Sequence, residues 1–69
     1  MQTNMGENVR RLRTVKGLTQ EQLAQAIGIS QPMIMRIENG SKLPGIATVI
    51  AIADFFQCSL DMLVRGNCA

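Results

Sequence analysis

Sixty-nine residues make one domain, residues 1–69, whose folding removes only roughly 60% of the unfolded surface from water, so such a chain gains from a partner. It holds no His and no Tyr, no clustered carboxylates and no phosphate-cradling Gly loop, so an enzyme is not expected, nor a cofactor, a metal or a small-molecule ligand. The net charge of +2 hides an asymmetry: residues 1–42 carry six Lys and Arg against three Glu, and residues 43–69 one Arg against two Asp. A basic front half suits a polyanion, and an apolar, faintly acidic back half suits a protein.

The opening "MQTNMGENVRR" lacks the apolar run of a signal peptide. Residues 4–16 instead place Met5, Val9, Leu12 and Val15 on one helical stripe with arginines opposite, and Gly17 supplies a left-handed stop. Thr19 predicts an N-cap, with Gln22 reaching back to its backbone N–H in a capping box. The second helix then runs over about 20–27, with Leu23, Ala24 and Ile27 inward, and ends at Gly28. Ile29 points inward. For the third helix two starts are open. Ser30 caps it through Met33, because Pro32 has no N–H, or Gln31 caps it with Pro32 as first helical residue. That helix stops at Gly40, and "SKLPG" reads as a loop.

A fourth helix is expected over about 46–56. Its run "GIATVIAIADFF" is about half of the roughly 20 residues that span a bilayer, and Asp54 interrupts it, so no membrane partner is expected. Ser59 caps a short fifth helix, 60–65. Cys58 is expected in the core and Cys68 as an unpaired thiol near the C-terminus; two cysteines are too few for a disulfide framework. These features predict a reduced, cytoplasmic chain in which the sequon-like "NGS" at residues 39–41 stays unmodified.

Five short helices without a strand candidate give an all-α fold. Only about three residues join the second helix to the third, which forces a steep crossing that the small Ala24 permits. The stretch "TQEQLAQAIGISQPMIMRIENG" resembles the helix-turn-helix of the phage repressor and Cro type. Gln20, Ala24, Gly28, Ile34 and Ile37 fill the family's pattern, "IENG" matches its ending, and "LPGIATVIAIADFFQCSLDML" is similar to its closing helices. The resemblance covers roughly residues 5–65. It implies a lambda-repressor-like DNA-binding domain, with the helix-turn-helix formed by helices two and three.

Successive helical residues turn 100°, so Ile34 and Ile37 on the buried side leave Pro32, Arg36 and Asn39 opposite, with Gln31 at the leading end. The resemblance places that face in the major groove of double-stranded DNA. Arg36 then meets a guanine edge, whose two acceptors match its fork, and Gln31, Pro32 and Met35 complete the base-reading set. Met33 and Met35 depart from the family's small or polar residues; Met33 is expected at the core edge and Met35 against a thymine methyl or a sugar. Gln20 and Thr19 at the start of helix two, and Asn39 and Lys42 after helix three, are expected phosphate contacts. Arg13 and Glu38 occupy positions that pair in relatives, so Arg13 is expected first as a strut and then as a phosphate contact. Arg10 and Arg11 are expected to be solvated and to act only by long-range attraction.

Helix four is apolar nearly all round. Val49, Ala53 and Phe56 are expected in the core, and Ala51, Ile52, Phe55 and Met62 in a two-fold interface between copies. Together these readings imply a sequence-specific transcriptional regulator, repressor- or Cro-like or a restriction–modification controller, that binds a palindromic operator as a homodimer. The competing class is a protein-interaction module such as an antitoxin, which the apolar back half favours; 69 residues leaving no separate toxin-holding segment argue against it.

Overall fold

The structure, a computed structural model, describes residues 5–65, with only the backbone at Arg65. Cys68 and Asn4, the first residue of the expected first helix, lie outside the described residues. Five α-helices follow in order: α1 Met5–Val15, α2 Gln20–Ile27, α3 Gln31–Glu38, α4 Ile46–Phe56 and α5 Leu60–Arg65. Among the described residues there is no strand.

Local chemistry sets the boundaries. Gly17 turns the chain at φ 72°, and Leu18 N–H closes back on the Arg13 carbonyl at 3.0 Å, satisfying a carbonyl that the helix end leaves open. The capping box that begins α2 is complete: Thr19 Oγ1 accepts from Gln22 N–H at 3.0 Å, and Gln22 Oε1 accepts from Thr19 N–H at 2.9 Å. Gly28, at φ 79°, ends α2 and donates its N–H to the Ala24 carbonyl. The two open starts for α3 resolve in favour of Ser30, whose hydroxyl accepts from Met33 N–H at 3.3 Å. Pro32 sits in the first turn, where its missing N–H leaves nothing unsatisfied. Ser59 caps α5 by accepting from Met62 N–H at 3.0 Å.

Every helix sends at least one side chain into a common core. Val9, Leu23, Ile34, Ile37, Ile52 and Leu63 are the largest side chains that are fully buried. Met33, Ile29 and Cys58 pack around them, half-buried. α2 lies against α3 and α4, and α1 lies against α3 and α5. The α1–α3 contact is unusually close: a Cβ on Gly6 would collide with the Ile37 carbonyl oxygen and stand 2.8 Å from that of Glu38. Glycine at position 6 is what lets the two backbones approach. At the other edge of α1, buried Asn8 donates from Nδ2 to the Leu63 carbonyl at 2.7 Å, which ties α5 down without leaving a buried polar group orphaned.

Two expectations about the core fail. Val15 is 79% exposed. At 100° per residue it lies roughly 90° from the centre of the stripe formed by Met5, Val9 and Leu12, so the last turn of α1 does not share that stripe's burial. Ile52, expected at an interface, is 0% exposed and belongs to the monomer's own core. Val49, Ile52, Ala53 and Phe56 follow the i, i+3, i+4, i+7 spacing of a single buried face.

Candidate nucleic-acid interface

α3 presents two unlike sides. Ile34 and Ile37 fix one side in the core, and Gln31, Pro32, Met35, Arg36 and Asn39 are all exposed on the rest. A helix with its side chains is roughly 10–12 Å across, and the B-DNA major groove is about 12 Å wide, so a face of this kind can enter it. The helix is only eight residues long. Its rigidity comes from anchoring at both ends, by the Ser30 cap and by Glu38.

Glu38 is the hub of a buried network. Its carboxylate side chain is 4% exposed and Arg13 is 15% exposed. Arg13 Nε donates to Glu38 Oε2 at 2.6 Å, Nη2 donates to Oε1 at 3.1 Å, and Nη1 donates to the Leu18 carbonyl at 2.8 Å. This bidentate fork in a low-dielectric site fastens the C-terminal end of α3 to α1. Removing one partner would leave a buried charge alone, at a cost of about 3–5 kcal/mol. Gln20 Nε2 also donates to Glu38 Oε1, at 3.1 Å, which fixes its amide and leaves its second N–H and its carbonyl uncommitted.

The other expected phosphate contacts keep donors in reserve. Thr19 uses its oxygen as the cap acceptor, so its O–H remains available. Asn39 Oδ1 accepts from Ser41 N–H at 2.8 Å, leaving its NH₂ group. Lys42 is exposed just beyond α3, where its N–H and that of Ser41 both reach the Arg36 carbonyl. Arg13, Gln20, Met35 and Asn39 line one open depression between α1, α2 and α3, together with Glu38 and Arg10. Sequence reasoning set Arg10 aside as solvated. Its spacing three residues before Arg13, which puts both on one helix face, is the signal that would have joined them.

The expected interface residues do not form one exposed patch. Ala51, Phe55 and Met62 are half-buried; the Phe55 ring meets Phe56 edge-on at 5.1 Å, and the Lys16 ammonium lies 5.8 Å from its centroid. The large apolar side chains left open on the back half are Leu43 at 76%, Ile46 at 69%, Ile50 at 44% and Leu60 at 41%. Among the described residues no helix is long and apolar enough to cross a membrane.

Residues 9–63 match the helix-turn-helix family. The chain is 41% identical over 58 residues to the HTH-type transcriptional regulator YazB of Bacillus subtilis (strain 168), a match covering 84% of each protein. It is 38% identical over 61 residues to YqaE, another HTH-type transcriptional regulator of that strain, covering 88% of this chain and 53% of YqaE. This chain thus spans about half the length of YqaE. Its fold is similar to that of the P22 c2 repressor in complex with synthetic operator 9T, with a TM-score of 0.86 and 30% identity, covering 91% of this chain and 96% of that one. The chain belongs to the helix-turn-helix family of transcriptional regulators, of the phage repressor and Cro type.

Proposed function

We propose that this domain regulates transcription in the cytoplasm by inserting α3 into the major groove of a palindromic DNA operator as a homodimer. The observation that carries the reading is the split character of α3, locked to the core by Ile34, Ile37 and Glu38 while Gln31, Pro32, Met35 and Arg36 stay exposed. The P22 c2 repressor, similar in fold, is seen bound to operator DNA.

In this reading Arg36 pairs with a guanine edge through its fork, and Gln31 pairs with adenine through its amide. Pro32 and Met35 offer apolar surface to thymine methyl groups. Thr19, Gln20, Asn39 and Lys42 hold the phosphates on either side and set register. Arg13, engaged with Glu38 and Leu18, serves as the strut. For the second copy, the open surface of Leu43, Ile46 and Ile50, with Leu60 of α5, is better supported than Ile52, because a lone domain gains by covering it.

Selection of bound sequences from random duplexes, followed by sizing of the selected complex, tests the whole. The expected product is a two-fold repeat with half-sites roughly 34 Å apart, the spacing general to this motif, carrying two copies of the chain. Failure to enrich any sequence would overturn the reading.

A further inference from the structure

α1 carries two arginines on one edge of the recognition surface, and their environments are opposite. Arg13 is 15% exposed, its guanidinium shared between Glu38 and a backbone carbonyl, and its charge is cancelled by a carboxylate at 2.6 Å. Arg10 is exposed, and its guanidinium makes no hydrogen bond or ion pair with any described residue. Both line the depression whose other walls are Gln20, Met35, Glu38 and Asn39. Glu38 already accepts from Arg13 and Gln20, while Gln20 and Asn39 are neutral and Met35 is apolar. Among the described residues, the uncancelled positive charge at this depression is that of Arg10.

The depression runs along the Met35–Asn39 side of α3. With α3 in the major groove, a side wall of this kind borders the sugar–phosphate chain of one strand, not the base edges. A phosphate there would find the exposed cation of Arg10, the uncommitted amide N–H of Gln20 and the NH₂ group of Asn39. Arg13 spends three of its five N–H donors on Glu38 and Leu18, and because its charge is already balanced by the Glu38 carboxylate it could add a hydrogen bond to a phosphate but no net charge. We propose that Arg10, and not Arg13, is the cationic phosphate clamp on this side of the recognition helix, with Gln20 and Asn39 as its neutral co-donors and Arg13 as a positioning residue that acts through Glu38. The assignment rests on the DNA reading above. It divides the two arginines by job: one supplies charge to the ligand, and the other holds α3 and the Gln20 amide in place.

The test uses the full chain, the duplex obtained by selection and a scrambled duplex, with affinity measured across a salt series. Arg10→Ala is expected to flatten the slope of log affinity against log salt by about 0.9 per protomer and to weaken binding roughly 4- to 10-fold per protomer near 0.1 M salt. The loss should be equal for both duplexes, with an unchanged melting temperature, because no contact within the fold is removed. Arg10→Lys should restore the slope. The double variant Arg13→Ala with Glu38→Gln, which removes the ion pair without leaving a lone carboxylate, should instead lower the melting temperature and, where still folded, keep the wild-type slope; should it not fold, the two Arg10 variants decide alone. A wild-type slope in Arg10→Ala, or a slope that Arg10→Lys fails to recover, overturns the assignment while the DNA reading stands. A wild-type protein with no salt-dependent affinity for any duplex overturns both.

Discussion

Gly6→Ala sets local and tertiary physics against each other. Alanine is the better helix former by about 1 kcal/mol, so α1 in isolation should gain, though less than this in a first turn. In the folded chain the new methyl group would meet the Ile37 carbonyl oxygen and stand 2.8 Å from that of Glu38. Both obstacles are backbone atoms at the end of α3, and neither can swing aside as a flexible side chain would. Relief requires α1 to withdraw from α3, which loosens the seam containing Val9 and Ile37 and stretches the Arg13–Glu38 fork. Overpacking of this kind costs about 1–3 kcal/mol. Offset by a propensity gain of about 0.5 kcal/mol in a first turn, the net loss is about 0.5–2.5 kcal/mol, or roughly 2–20 °C in melting temperature for a domain of this size. Thermal unfolding followed by circular dichroism at matched protein concentration reads it directly. A variant as stable as the wild type, or more so, would refute the close α1–α3 approach.

Four further expectations follow from the same geometry. Leu23→Asp should abolish cooperative melting, since it places a charge at a fully buried position in a small core; retained cooperativity in a denaturation scan would refute the packing. Arg36→Ala should cost about 1–3 kcal/mol on the selected operator and relax preference at one base pair per half-site, unless its affinities for single-base variants keep the wild-type rank order with only a uniform loss. Lys42→Ala should weaken all duplexes alike and lower the salt slope by about one per half-site; a loss confined to one operator position in the same titrations would contradict a phosphate role. Ile46→Lys, at a side chain 69% exposed, should leave folding intact but reduce dimerisation and cooperative operator binding together, as sedimentation and titration would show. Unaltered self-association would place the interface elsewhere.

Punctuation was the most legible part of the chain. Thr19 with Gln22, the left-handed glycines and Ser59 act within four residues of themselves, so short-range chemistry decides them, and the structure contains each one. The α3 start was ambiguous by one residue because Ser30 and Gln31 both satisfied local rules; the hydroxyl's hydrogen bond to Met33 settles it. The faces of α4 were harder. A helix apolar nearly all round has no polar stripe to phase against, and Ile52 was therefore assigned to the wrong side. Gly6 gave no local signal either, because its need arises from carbonyls more than thirty positions away. The exposed face of α3 was readable because Ile34 and Ile37, both buried, phase the helix unambiguously. Arg10 and Arg13 are equivalent letters until Glu38, distant in sequence, selects one of them.

That α3 is anchored by one set of atoms and displays another has an evolutionary meaning. The side chains that hold it, Ser30, Ile34, Ile37 and Glu38, make its cap, core and ion-pair contacts. The exposed Gln31, Pro32, Met35 and Arg36 donate no side-chain hydrogen bond to any described residue, so changes among them are nearly silent in folding free energy. With α3 reading DNA as proposed above, such a chain can drift through successive operator preferences while its stability stays level, and a duplicated copy can acquire a new target without first acquiring compensating mutations in its core.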